Sequence, residues 1–160
     1  MSLNENAEKN KVIEKIKKWL NEEGYTVNVR STSDSYYHAT IVKQKALTVD
    51  IDITKDSVDK IHVETVFGSQ RNEKPSYTSE DAHKAATHDI ALIRTLIPLN
   101  VEHSVDATME GMEIRMWKTI YFDGLSKHVL FETIGDVRAA YRALDLMHKQ
   151  KLSSSDSSSS

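Results

Sequence analysis

The sequence contains no cysteine among its 160 residues, and this absence excludes several kinds of site. Without a thiol, the chain has no disulfide, no thiolate zinc site and no cysteine nucleophile. Glycine is also scarce, with only five residues that stand far apart, at positions 24, 68, 111, 124 and 135. Because a phosphate-binding loop needs several glycines within a short stretch, the sequence has no motif for nucleotide binding of this kind.

Long apolar runs and a charge excess of one sign are missing as well. No stretch approaches the roughly 20 apolar residues of a membrane span, and the N-terminus has no signal-peptide core. We therefore expect a soluble cytoplasmic protein that does not contact a membrane. The 21 basic and 24 acidic residues nearly balance, so binding of nucleic acid through the charge of the whole domain is disfavoured.

The segment from Ile120 to Lys151 gives the strongest structural signal. It reads as the end of a strand, a tight turn at Asp123 and Gly124, a helix cap at Ser126 and a long helix. Apolar residues at alternating steps of four and three predict one stripe along this helix. The stripe packs on a sheet as the main core element, or a second apolar face meets a copy of itself in a dimer, and both arrangements can hold at once.

Helical and period-two spacing of apolar residues predicts the remaining elements. The predicted helices are 8–23, 78–97 and 127–151, and the predicted strands are 25–29, 36–42, 47–53, 101–107 and 112–122. The apolar run 61–67 either pairs with the third strand or continues it around a kink. The fold class is therefore α+β, a single domain with an antiparallel sheet in the order α-β-β-β-α-β-β-α. This domain is expected at 8–151, between a flexible N-terminus at 1–7 and a disordered serine-rich tail at 152–160.

Two acidic residues on one predicted strand are the main candidates for chemistry. Asp50 and Asp52 share a strand face and could hold a hard divalent cation such as Mg²⁺ through their carboxylate oxygens. Alternating polar positions on a half-exposed strand give the same pattern without a metal. The seven histidines are scattered, without the i, i+4 pair typical of a helical zinc site. The sequence therefore predicts no cofactor and no catalytic residue, and a metal-dependent enzyme that uses Asp50 and Asp52 is the alternative.

Two other sets of residues are candidates for binding. Lys11, Lys15 and Lys18 form a basic ridge on the first helix, which is either a weak nucleic-acid contact or a solvated face. Trp117 and Tyr121 share the face of a strand opposite its apolar positions. If this face is exposed, the aromatic pair is typical of a binding surface, and if a helix covers it, the pair is ordinary core. The candidate interaction surface combines this pair with the stripe of the last helix: Trp117, Tyr121, Leu130, Ile134, Val137, Tyr141 and Leu144.

Both ends of the predicted domain resemble a known family. The segment Ile120–Ser126, with Val137, Arg138 and Leu144 in the helix after it, looks like the C-terminal half of a family of small, uncharacterised, mostly archaeal proteins. The first helix ends in a Trp-Leu-x-x-Glu-Gly pattern followed by Tyr25, and it resembles the first helix of that family. Those proteins resemble the type III secretion chaperone-like fold, in which a helix, three strands, a helix, two strands and a helix follow one another.

This resemblance implies binding rather than catalysis. Proteins of that fold are commonly dimeric, its secretion members bind extended segments of partner proteins, and the family has no catalytic motif to carry over. Fold alone does not fix function, but the residues assemble no catalytic site either. We therefore predict a non-enzymatic, chaperone-like or regulatory protein-interaction module that forms a homodimer and binds a further, unidentified protein partner.

Overall fold

The computed structural model has an α+β fold in which helices pack on a six-stranded antiparallel sheet. It describes residues 3–44, 46–57, 59–70, 90–91, 93–108 and 111–156. The helices are α1 (Leu3–Glu22), α2 (with residues 90–91 and 93–96 described) and α3 (Lys127–Asp156). The strands are β1 (Thr26–Arg30), β2 (Ser35–Val42), β3 (Val49–Thr54), β4 (Lys60–Gln70), β5 (Glu102–Thr108) and β6 (Gly111–Tyr121).

The strands stand in the order β1-β2-β3-β4-β6-β5, so β1 and β5 are the two edges of the sheet. The predicted fold class is confirmed, and the structure also decides how the apolar run 61–67 continues. This run belongs to a separate strand, β4, which pairs antiparallel with β3 and places Val63 opposite Ile51. Four strands therefore precede α2, and the order of elements is α-β-β-β-β-α-β-β-α.

Local signals end and begin the helices where the sequence predicts. The Ser126 side-chain oxygen accepts a hydrogen bond from the amide of Val129 at 3.2 Å, which caps α3. Gly24 follows α1 with a φ of 75°, a left-handed conformation that glycine adopts without steric cost. The amide of Tyr25 then donates to the carbonyl oxygen of Leu20 at 2.9 Å and closes the last turn.

The outer ends of α1 and α3 extend further than the sequence predicts. α1 begins at Leu3 rather than at Glu8, and α3 continues to Asp156 rather than ending near Lys151. Neither extension contains a proline or a glycine, and an existing helix adds residues without repeating the cost of nucleation. Residues 157–160 of the predicted tail lie outside the described residues, and the domain bounds at 8–151 stay a prediction.

The chain divides into two compact units, each with its own apolar core. The first unit consists of Met1–Thr65 and Trp117–Arg138, and its core includes Ile16, Leu20, Ala39, Ile41, Ile51, Ile61, Val63, Ile120, Leu130, Ile134 and Val137. The second unit consists of Val66–Met116 and Ala139–Ser160, and its core includes Phe67, Leu96, Val101, Met112, Ile114, Met116, Ala140 and Leu144. β4, β6 and α3 each contribute residues to both units.

The described end of α2 buries a different face from the one that its apolar spacing predicts. The spacing predicts an inner face with Ala82, Ala86, Ile90, Ile93 and Ile97, of which the first two lie outside the described residues. Ile93 is half-buried, but Ile90 and Ile97 are 50% and 70% exposed, whereas Leu96 is buried. A 3₁₀ turn over Ile97–Leu99, with Pro98 inside it, tightens the chain and takes Ile97 out of the helical period; it does not account for the exposure of Ile90. The predicted cap at Thr78 lies outside the described residues. None of the described helices is long and apolar enough to span a membrane.

Candidate functional site

The apolar stripe predicted on α3 belongs to the core. Leu130, Ile134 and Val137 are at most 1% exposed and lie in the core of the first unit. Leu144 is fully buried in the core of the second unit, and Tyr141 packs against that core. Leu130, Ile134, Val137 and Leu144 are covered by the chain itself, as in the first of the two arrangements considered for this helix, whereas Tyr141 is only half-buried. Apart from Tyr141, the helical members of the predicted interaction surface therefore lie in the cores of the two units.

Trp117 and Tyr121 lie on the outer face of β6, opposite the core. The alternation of side chains along a strand turns Ile120 into the core of the first unit and its odd-numbered neighbours away from it. Tyr121 is 49% exposed, and Trp117 is half-buried. The ammonium group of Lys60 lies 5.4 Å from the centre of the Tyr121 ring, within the range of a cation–π contact. The aromatic pair thus remains accessible.

Polar side chains cross the same outer face of the first unit from strand to strand. His38 on β2, Asp52 on β3 and His62 on β4 are successive cross-strand neighbours. Thr119 on β6 continues this row, because its hydroxyl oxygen lies 3.3 Å from Nδ1 of His62. Asp50 lies two residues before Asp52 on the same face of β3. We call His38, Asp50, Asp52 and His62 the outer-face cluster.

His38 brings together the two aspartates that the sequence singles out. Its Nδ1 atom lies 3.3 Å from Oδ1 of Asp52, and its Nε2 atom lies 3.8 Å from Oδ1 of Asp50. The hydroxyl of Ser35 donates a further hydrogen bond to the same Asp52 oxygen, and Asp52 is only 9% exposed. Asp52 is thus a buried acceptor with two partners, whereas Oδ1 of Asp50 is buried without a hydrogen-bond partner among the described residues.

The cluster does not have the make-up of a metal centre. In the part of the chain that the structure describes, no group of three or more His, Cys, Asp or Glu side chains is arranged to hold an ion. Oδ1 of Asp52 is already engaged by Ser35 and His38. What the arrangement offers instead is the carboxylate of Asp50, whose side chain is 31% exposed and can accept a hydrogen bond from outside the chain.

A pocket of about 390 Å³ lies beside the cluster at the turn between β3 and β4. Its lining mixes the acidic residues Asp56 and Asp59 with Lys60 and His62. Ser57 spans the turn, since its hydroxyl donates to the carbonyl oxygen of Lys60 and accepts from the Lys60 amide. Because both signs of charge are present, the pocket extends the polar surface without favouring a ligand of one charge.

The lysine ridge lies along the exposed side of α1, as predicted. Lys11, Lys15 and Lys18 line a groove of about 510 Å³ together with Asn10 and Glu14. Lys18 also lies 4.0 Å from an acidic side chain one helical turn further on. Acidic groups within and beside the groove weaken the positive potential that phosphate contacts require. The geometry therefore favours a solvated face over a nucleic-acid contact.

Sequence reasoning found Asp50, Asp52, Trp117 and Tyr121 but missed His38. The strand periodicity places the two aspartates on one face without showing which strand lies beside them. The signal that could have found His38 is the polar set of positions on β2, which alternates with Tyr37 and the apolar residues of that strand. The pairing between β2 and β3 was needed to align the two sets.

The chain matches one protein family and is similar to solved structures. Residues 12–147 match the family described as Uncharacterized conserved protein (DUF2299). The chain belongs to this family. Among solved structures, this DUF2299 member is similar to an uncharacterized protein from Methanothermobacter thermautotrophicus, with 22% sequence identity and a TM-score of 0.74 over 87% of this chain and 98% of that chain. At this identity the likeness shows the fold alone.

A second solved structure is similar to the DUF2299 chain at a lower level. It is the E. coli protein YbjN, described as a candidate transcription regulator. The two chains have 11% sequence identity and a TM-score of 0.49, over 86% of this chain and 93% of that chain. A likeness of this size carries no argument about function. No curated protein matches the chain. The predicted type III secretion chaperone-like fold stays a prediction after these comparisons.

Proposed function

We propose that this DUF2299 member is a non-enzymatic protein-interaction module that binds a protein partner on the outer sheet face around Tyr121. The observation that carries the proposal is the 49% exposure of Tyr121, on the same face of β6 as Trp117 and opposite the core. Tyrosine and tryptophan are enriched at the centres of protein interfaces, because each buries a large apolar area and still has a polar atom to pair. The surface therefore has the composition of a binding site.

Asp50 supplies the polar part of this surface. Its Oδ1 atom is buried and lacks a hydrogen-bond partner among the described residues, and the imidazole of His38 is 3.8 Å away. The Asp50 side chain as a whole is 31% exposed, so its carboxylate can accept a hydrogen bond from a bound partner. We therefore expect the partner to present an N–H donor or a basic side chain at Asp50.

A single short segment of a partner can reach both parts of the surface. Asp50 lies on β3 and Trp117 on β6, with only β4 between them in the sheet. At about 4.8 Å per strand, the separation across the sheet is about 10 Å, or about three residues of extended chain. The resemblance to the type III secretion chaperone-like fold, whose secretion members bind extended segments, supports the same kind of partner.

Affinity capture with matched variants tests this proposal. Tagged wild-type protein, Tyr121→Asp and Leu146→Asp are incubated with lysate of the native cell at low and high salt, and the retained protein and nucleic acid are quantified. Leu146 is 61% exposed on α3, so it controls for the general effect of an acidic residue at an exposed apolar position. We expect wild type and Leu146→Asp to retain one protein at high salt, and Tyr121→Asp to lose it.

Two results would contradict the proposal, provided that circular dichroism shows each variant to be folded. If Tyr121→Asp retains the same protein as wild type, the binding surface lies elsewhere on the chain. If the retained material is nucleic acid that high salt releases, the result favours nucleic-acid binding through Lys11, Lys15 and Lys18, because phosphate contacts weaken steeply with salt.

A further inference from the structure

We propose that two copies of the chain pair antiparallel along the outer edge of β1 and so form a homodimer. β1 (Thr26–Arg30) is an edge strand that hydrogen-bonds to β2 on one side. On its other side, alternate backbone N–H and C=O groups point away from the sheet and form a template for another strand. This inference is independent of the partner proposed for the outer sheet face.

β1 lacks most of the features by which proteins protect an edge strand. Its sequence Thr-Val-Asn-Val-Arg contains no proline, and its one charge is Arg30 at the end. It pairs with β2 without a shift in register, so no bulge turns the edge away. The opposite edge strand, β5, carries Glu102, His103 and Asp106. Because charged side chains oppose pairing at an edge, β1 is the edge that favours it.

Val29 leaves apolar surface uncovered at this edge. Val27 and Val29 lie opposite Ile41 and Ala39 of β2, so both valines are on the inner face of the sheet. Val27 packs against the core of the first unit, whereas Val29 is 58% exposed. A β-branched side chain at such a position is stabilised by an apolar cross-strand neighbour, which the described chain does not provide on this side.

β1 is complementary to itself in one antiparallel register. When Asn28 lies on a two-fold axis opposite its own copy, all five residues of the strand are paired. Val27 then lies opposite Val29 of the second copy on the inner face, and Thr26 lies opposite Arg30 on the outer face. This register places apolar side chains beside each other and keeps the two arginines apart, so a second copy fits the edge without a like-charge contact.

The contact between the two copies of β1 is small, so we expect a weak dimer. Each copy contributes a strand of five residues, whereas a standard protein interface has about 20–30 residues on each side. The dimer should therefore dissociate on dilution. A weak dimer is still specific here, because a shift of one residue in the register would move the valines to opposite faces.

Cysteine cross-linking tests the register directly, because the chain has no cysteine of its own. In Asn28→Cys, the two introduced thiols face each other across the axis, with Cα atoms about 4.5–5.5 Å apart, a separation that a disulfide spans. Thr26→Cys is the matched control, since Thr26 is also exposed and on the same strand face but lies opposite Arg30. Under mild oxidation we expect a disulfide-linked dimer for Asn28→Cys and a monomer for Thr26→Cys.

Sedimentation equilibrium at several protein concentrations measures the dimer without a cross-link. Val29→Lys brings an ammonium group against a valine of the second copy, so we expect the dissociation constant to rise by about tenfold or more. Val105→Lys is the control, because Val105 is a valine of 38% exposure on the other edge strand. It should leave the dissociation constant unchanged.

Several outcomes overturn the proposal. They are a monomer at every concentration, a dimer that Asn28→Cys does not cross-link, equal cross-linking of Asn28→Cys and Thr26→Cys, or a dimer that Val105→Lys weakens and Val29→Lys does not. Circular dichroism on each variant separates loss of the dimer from loss of the fold. Capture of a partner by the outer sheet face is read in a different assay, so the two proposals can fail separately.

Discussion

The guanidinium group of Arg138 donates a hydrogen bond to the hydroxyl oxygen of Tyr25 at 3.1 Å, across 113 residues of sequence. The same group lies 5.3 Å from the centre of the Tyr25 ring, and its other terminal nitrogen donates to the carbonyl oxygen of Leu47 at 3.0 Å. One side chain of α3 thus joins the residue before β1 to the segment before β3. These contacts lie within the first unit and link parts of the chain that are distant in sequence.

We expect Arg138→Lys to lower the free energy of unfolding by about 2 kcal/mol. A lysine ammonium cannot reproduce both hydrogen bonds in this geometry, and a hydrogen bond to a charged group contributes about 1.5–3 kcal/mol. Tyr25→Phe keeps the ring and removes one bond, so it should cost about 1 kcal/mol. Urea denaturation measures both. The exposed Arg142 is the control, and Arg142→Lys should change the free energy of unfolding by less than about 0.5 kcal/mol. Equal losses in the two variants would show that the hydrogen bonds of Arg138 do not account for the effect.

Structural features that depend only on residues close in sequence could be predicted from the sequence. Ser126 caps a helix through an amide three residues away, and Gly24 ends one through its own backbone conformation. The two faces of β6 follow from simple alternation, which is why Tyr121 could be placed on the face opposite the core, and the structure shows that this residue is 49% exposed. Such signals act over one turn or one strand, and a sequence displays them directly.

Contacts that depend on how elements pair could not be predicted in the same way. Periodicity shows that Leu130 and Leu144 share a stripe, but it does not show what covers the stripe, and the structure buries both. His38 reaches Asp50 and Asp52 only because β2 and β3 pair in one particular register. That register depends on the whole sheet, so no local pattern near His38 indicates it.

Gly135 allows a test of helix propensity in α3. The sequence leaves open whether a close packing partner explains a glycine inside this helix. In the structure Gly135 is exposed, and no described atom outside its immediate helix lies within 4 Å of where a Cβ would stand. We therefore expect Gly135→Ala to raise the free energy of unfolding by about 1 kcal/mol, because alanine favours the helix.

Gly24→Ala is the matched substitution with the opposite expected sign. Space is available there too, but the φ of 75° is one that alanine adopts only with strain. We expect a loss of about 1 kcal/mol in urea denaturation. A loss in Gly135→Ala as well would mean that α3 has a close neighbour at this position.

Tyr37 should make stability depend on pH in the alkaline range. Burial raises the pKa of Tyr37 from 10.0 to about 12, with a smaller contribution from Glu14. Between these values the folded phenol keeps a proton that the unfolded phenol has lost, so the unfolded state binds fewer protons and stability falls as pH rises. The full stabilisation is present below about pH 10, and the loss approaches about 1.4 kcal/mol for each further pH unit.

Tyr37→Phe should remove this part of the pH dependence. The hydroxyl of Tyr37 is buried without a hydrogen-bond partner in the described part of the chain, so its removal should leave stability near neutral pH equal or higher. Tyr121→Phe is the control, because it removes a tyrosine hydroxyl from an accessible position instead of a buried one. Urea denaturation at several values between about pH 8 and pH 11 measures the slopes. An unchanged slope in Tyr37→Phe would show that other groups carry the alkaline loss.

Titration with divalent cations tests the metal-dependent alternative. A hard cation such as Ca²⁺ takes about six to eight oxygen ligands. One oxygen of this pair of aspartates, Oδ1 of Asp52, already contacts Ser35 and His38, so it is not free to bind a cation. We therefore expect calorimetry with Mg²⁺, Mn²⁺ and Ca²⁺ to give no saturable heat. The informative pair of variants is Asp50→Asn, within the outer-face cluster, and Asp56→Asn, an exposed acid at the adjoining turn. A saturable heat in wild type that Asp56→Asn keeps and Asp50→Asn loses would overturn this expectation, because it would require the carboxylate of Asp50 as a ligand.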